Sequence, residues 1–201
     1  MVEKISQKKS KKLSQIMEIS EILFMHHGIK RVTVEEICQK ANVSKMTFYK
    51  HFSNKIELFK YILNTWYEEF WGNADEIAAM DIPFTEKLES IFEWKLKLMG
   101  KMSTEFIEEF IYIDPELNEF MEEYYRKNYI RFRDLVVNWQ KNGDIRSEMR
   151  PELFIAALNK FQELFSDDNL SKTYSDHIEF IRELHNVLFY GVLNRVVAEN
   201  K

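Results

Sequence analysis

Five glycines and three prolines are the only such interruptions in 201 residues, and between them apolar side chains recur at spacings of three and four instead of alternating. A helix turns once in 3.6 residues, so that spacing gathers them on one face. The chain is therefore read as all-α. With 45% hydrophobic and 30% charged residues, it has apolar surface for a buried core and charge for a solvated exterior. No run of about 18 apolar residues occurs. The basic start "MVEKISQKKSKKLSQ" lacks the apolar stretch of a secretory signal, so a cytoplasmic protein with no membrane partner is expected. Cys38 is the single cysteine; it excludes an internal disulfide framework and, beside Ile37 in a helix, reads as a small core residue.

The net charge of −5 conceals a division. Residues 1–60 hold 12 Lys and Arg against 6 Glu, and the remainder 16 against 27 acidic residues. A positive end on an acidic body suits a polyanionic partner at that end alone. The same end carries the most specific pattern, "TVEEICQKANVSKMTFYKHFSNKIELF", residues 33–59. A helix opens at Thr33, whose spacing to Glu36 is that of a capping box, and Val34, Ile37, Cys38 and Ala41 supply its buried face. It breaks at Ala41-Asn42-Val43-Ser44. Ser44 then caps a short helix in which Phe48 and Phe52 share one face, while Lys45, Met46, Thr47, Tyr49, Lys50 and His51 point elsewhere. An earlier helix, from about Lys9 to His27, ends at Gly28, and Ser53 or Asn54 caps a later one from about Lys55 to Trp71. Two short helices joined by a tight turn, the second exposing basic and polar groups, have the layout of a helix-turn-helix. The break projects the second helix outward, where a major groove about 12 Å wide admits it.

The stretch resembles the signature of the TetR family of bacterial transcriptional repressors, filled here by Thr33, Ile37, Ala41, Val43, Ser44, Thr47, Phe48, Tyr49, His51, Phe52, Lys55 and Leu58. The resemblance implies an N-terminal three-helix DNA-binding domain, residues 1–55, followed by a larger helical ligand-binding and dimerisation domain, residues 56–201. It makes Thr33, Thr47, Tyr49, His51 and Lys55 phosphate contacts and leaves Lys45, Met46 and Lys50 to read a double-stranded operator. Where the family often has Gly, this chain has Met46, a longer apolar side chain suited to a thymine methyl. Lys8, Lys9, Lys11 and Lys12 would strengthen binding without reading sequence.

Beyond the signature, Gly72, Pro83, Pro115, Gly143 and Pro151 mark the expected joints between helices near 84–101, 104–112, 115–142, 151–166 and 175–198. Trp66, Phe70, Trp94, Leu98, Phe106, Phe110, Tyr124, Tyr125 and Phe161 fall on helices that resemble those around the inducer pocket of TetR-type repressors, which implies a largely apolar small-molecule effector. Glu105, Glu108 and Glu109 leave open a cationic one. In "HIEFIRELHNVLFYGVLNRVV", Ile178, Ile181, Leu188 and Val192 form one stripe, and Phe180, Leu184, Val187 and Leu193 carry the apolar surface well around the helix. One core cannot cover that much, so pairing in a homodimer is expected, with Leu153, Ala157, Phe161 and Leu164 of the preceding long helix and a close approach at Gly191. The helix from Lys55 would act as a lever between ligand and DNA.

Two rival readings are an α-helical metal-dependent enzyme and a non-DNA-binding adaptor. None of the five histidines has Glu three positions before it, as a di-iron bundle requires. His177 and His185 stand about 12 Å apart along a helix axis, too far for one metal. Neither a catalytic set nor a cofactor is expected. The positive end and the intact signature weigh against an adaptor.

Overall fold

The computed structural model describes residues 11–111, 115–164, 168–174 and 177–190. Its elements are α1 (Lys11–His27), α2 (Val34–Lys40), α3 (Lys45–Tyr49), α4 (Lys55–Ala79), α5 (Phe84–Met99), α6 (Thr104–Ile111), a single 3-10 turn (Pro115–Leu117), α7 (Asn118–Lys141), α8 (Pro151–Glu163), α9 (Asp168–Ser171) and α10 (His177–Tyr190). Packing divides the chain into two compact units, residues 1–120 and 121–201.

In the first unit, α1 brings Ile16, Leu23 and Phe24 against Ile37 and Cys38 of α2, Phe48 of α3, and Leu58, Phe59 and Ile62 of α4, all of them buried. Short helices such as α2 and α3 are marginal alone and depend on that shared core. Their ends are nonetheless locally specified. Thr33 Oγ1 accepts from Glu36 N–H, Ser44 Oγ from Thr47 N–H and Asn54 Oδ1 from Glu57 N–H, so each helix start satisfies an otherwise orphaned donor. The Glu36 carboxylate turns toward Lys40 Nζ, 3.5 Å away.

The break between α2 and α3 is a Schellman motif. Val43 N–H donates to Cys38 O and Asn42 N–H to Gln39 O, with Asn42 in the left-handed region at φ 52°, where asparagine is among the few tolerated side chains.

Gly72 does not end α4. The helix continues to Ala79 because Trp71, Ala74 and Ile77 are buried on its inner face, and that burial outweighs the cost of about 1 kcal/mol for a helical glycine. Lys87 Nζ then donates to Ala78 O at 2.8 Å, placing a cation at the end of α4 where it complements the helix dipole.

In the second unit, α7 ends in a glycine cap: Gly143 has φ +82° and Asp144 N–H donates to Trp139 O. Gln140 Nε2 donates to Arg146 O and Met149 O, pinning the connection into α8. Phe154 of α8 stacks on Phe132 of α7 and meets Phe189 of α10 edge-on. The turn of helix α9 between α8 and α10 has no counterpart in the sequence expectation.

Candidate nucleic-acid interface

Ser44 fixes the start of α3 and Phe48, fully buried, fixes its inner side, so the remaining positions of this helix face outward by geometry alone. Met46 is 85% exposed and Tyr49 is 53% exposed; Lys45 and Lys50 are exposed beside them. Thr47 is half-buried, with Oγ1 3.0 Å from Ser44 Oγ, and His51 is half-buried with its ring near Phe52. Thr33 is exposed and occupied in capping α2. Lys45, Met46, Tyr49 and Lys50 are thus brought onto one surface, with Thr33, Thr47 and His51 tied to the elements that frame it.

Lys45 pairs with Glu35 of α2. Hydrogen bonding to the Lys45 ammonium holds the Glu35 carboxyl below its usual range, and Glu35 raises Lys45 in return. Both groups are exposed, so the pair bridges the two helices weakly enough to exchange for another anion.

Lys55 requires a correction. Its Nζ donates to Ile29 O at 2.7 Å and to Lys30 O and Val32 O, each at 2.8 Å. The ammonium is spent on the turn between α1 and α2 rather than held out for a phosphate. Lys11 and Lys12 are exposed at the start of α1; Lys8 and Lys9 lie outside the described residues.

Residues 16–62 match the family described as bacterial regulatory proteins, tetR family. Over those residues the chain is similar to the DNA-binding region of the TetR family. The match spans α1 to α3 and the first two turns of α4, the elements that build the exposed surface just described. The YhgD HTH-type transcriptional regulator of Bacillus subtilis is 38% identical over 73 residues, which cover 36% of this chain and 38% of that protein. The TtgR HTH-type transcriptional regulator of Pseudomonas putida is 32% identical over 68 residues, 34% of this chain and 32% of that protein. The chain thus matches well under half the length of these curated relatives. Similarity of fold extends further. The fatty acid degradation regulator FadR of Bacillus halodurans superposes with a TM-score of 0.69 at 16% identity, covering 91% of this chain and 96% of that one.

The residues expected around an effector separate into two groups. Trp66 and Phe106 are core: they are 8% and 1% exposed, their rings meet edge-on at 6.1 Å, and Trp66 Nε1 donates to Glu21 Oε1 of α1. They sit where α6 packs onto α1 and α4. Phe70 and Trp94 are half-buried, with ring centroids 5.4 Å apart between α4 and α5, and Leu98 is half-buried one turn beyond Trp94. Tyr124 and Phe161 belong to the second unit and are half-buried, and Tyr125 is 46% exposed. The side chain of Phe110 lies outside the described residues, as does that of Glu108. Glu109 binds backbone N–H groups of the α1–α2 turn, and Glu105 is held low by its own backbone N–H and by Ser103.

Lys95 was missed. Leu88, Phe92, Lys95 and Met99 share one stripe of α5 at spacings of four and three, so a cation occupies the centre of an apolar face. Removal from water pushes its pKa down. Its signal was legible as a charged residue on the inner stripe of an amphipathic helix.

On α8 Leu153 is 66% exposed and Ala157 half-buried, and Leu164, just past its end, and Leu188 on α10 are half-buried. Ile181 is corrected: at 3% exposure it is already covered within its own chain, as is Phe180. Val187 is 58% exposed on α10. Gly191 and Val192 lie outside the described residues.

Proposed function

We propose that the chain is a sequence-specific DNA-binding transcriptional regulator, a repressor that holds a palindromic operator as a homodimer and releases it when a small molecule binds the C-terminal helices. The observation that carries the reading is α3 itself: a helix anchored by Phe48 and Ser44 that holds Met46 almost fully in solvent between Lys45 and Lys50. An exposed methionine among cations suits a major groove, where thymine offers a methyl group and the flanking phosphates attract lysine. Tyr49, His51, Thr33 and Thr47 frame that contact on the phosphate side. Residues 1–55 form the DNA-binding domain in this reading and residues 56–201 the ligand-binding and dimerisation domain, a functional division distinct from the packing division after Phe120.

Homodimer formation draws support from the exposed Leu153 and Val187 on packed helices α8 and α10, and ligand binding from the half-buried rings of Phe70 and Trp94. Glu105 and Glu109 have internal partners, which favours an apolar effector over a cationic one. Selection of duplexes from random DNA by the full chain tests the central reading. Enrichment of one palindromic sequence, with loss of binding when salt is raised, is expected; recovery of unselected sequence overturns it. Titration of hydrophobic compounds against tryptophan fluorescence, with and without the selected duplex, tests release, because a ligand that dissociates DNA must itself bind more weakly when DNA is present.

A further inference from the structure

Five backbone groups of the turn that follows α1 are held by two side chains from other helices. Glu109 Oε2, on α6, accepts from the N–H groups of Ile29 and Lys30, the latter at 3.0 Å. Lys55 Nζ, at the start of α4, donates to the carbonyls of Ile29, Lys30 and Val32. The turn is built to receive the carboxylate. Gly28 has φ +74°, which favours glycine, and a Cβ there would lie 2.8 Å from Glu109 Oε1 and 2.9 Å from its Cδ, so any side chain would push the carboxylate aside. Ile29 and Val32 are buried on either side of the turn.

The helix that carries Glu109 is itself fixed. Phe106, three residues earlier and hence on the same face, meets Phe59 and Trp66 edge-on, each at 6.1 Å. Ser103 N–H donates to Met25 O at 2.7 Å. Beside the carboxylate is a small cavity of about 180 Å³ lined by Ile29, Lys30, Lys55, Ile56, Glu109 and Leu117, so the side chain is not locked by packing alone. Its hydrogen bonds decide where it sits. Charge-assisted bonds of this kind are stronger than neutral ones, and the part-buried Ile29 N–H left without its acceptor is costly.

We infer that Glu109 is a positioning residue for DNA binding: from a helix outside residues 16–62 it holds the turn that sets the entry of α2 and, through the Asn42 motif, the orientation of α3. The inference rests on the DNA-binding reading above. It assigns to α6 a direct share in operator affinity, transmitted through two N–H groups.

The test compares E109A, E109Q and M46A in the full chain, using the duplex that the wild-type chain selects from random DNA. Removing a negative charge should by itself tighten binding to a polyanion, so a loss in E109A cannot come from net charge. E109A is expected to weaken binding about tenfold with an unchanged salt slope, because no phosphate contact is lost. E109Q, which keeps one carbonyl acceptor, should lose less. Amide exchange should accelerate at Ile29 and Lys30 in E109A while the amides of Ile37 and Phe48 keep their protection, a pattern that general destabilisation does not produce. Wild-type affinity in E109A, or exchange that accelerates uniformly through α1–α3, overturns the inference. If M46A weakens binding and E109A does not, the positioning role alone fails. If the wild-type chain selects no duplex, the DNA-binding reading falls and takes this one with it.

Discussion

The exposed apolar side chains of the two units keep different company. On α3, Met46 and Tyr49 stand out from a helix whose inner side chain, Phe48, is fully buried, and both neighbours of the pair are lysines. In the second unit, Leu153 and Val187 stand out from α8 and α10, whose inner faces are already covered at Phe154, Phe180 and Ile181. A single apolar group among cations suits a wet, negatively charged surface with an occasional methyl group. Bare aliphatic groups on two packed helices suit another apolar surface. Exposure alone does not distinguish the two cases; the surrounding charge does. Under the proposed function the first surface meets a duplex and the second meets another copy of the chain.

The largest expected effect breaks the second half of that comparison. Asp at both Leu153 and Val187 should yield a monomer in sedimentation with an unchanged helical spectrum, and operator affinity should fall by at least about a hundredfold because two half-sites are no longer held together. A persisting dimer would place the subunit contact elsewhere. Next comes the α3 surface. M46A should cost about 1–3 kcal/mol and change the preferred base at its position, whereas Y49A should weaken all duplexes alike. Equal losses on every sequence for both would erase the distinction between reading and anchoring.

A smaller effect sharpens the contrast within the first unit, where polar groups around the α1–α2 turn are paired and Lys95 has no partner among the described residues. K95M should stabilise the fold by on the order of 1 kcal/mol at neutral pH. Because the folded-state pKa of Lys95 is depressed, the native chain releases this proton before the unfolded chain does. Between the depressed value and the ordinary lysine value of about 10.4, wild-type stability therefore gains from rising pH. The advantage of K95M in thermal melts should accordingly shrink as pH rises through that window; a constant difference would mean that the ammonium is solvated. The smallest effect is at the Lys45–Glu35 pair. E35Q frees Lys45 and should slightly tighten binding to any duplex, steepening the salt slope by up to about one unit.

How much of this was legible in the sequence follows from the distance over which each interaction acts. Thr33, Ser44 and Asn54 each bond an N–H three residues ahead, so helix starts could be read from neighbouring letters. The Asn42 turn lies where the apolar pattern of α2 stops. Gly72 misled because one weak helix-breaking signal was weighed without the burial of Trp71, Ala74 and Ile77 on the same helix.

Local spacing by itself determined that the chain is helical, that α2 and α3 form a helix-turn-helix and that Met46 and its lysines face away from the core. Only the tertiary structure decided that Lys55 and Glu109 clasp the turn between α1 and α2. Their partners lie 26 and 80 residues away, beyond the reach of any periodicity. Only packing, likewise, decided that Ile181 is covered while Val187 is not. Both are apolar positions on one helix, and which of them meets solvent depends on what packs against the helix rather than on the helix itself.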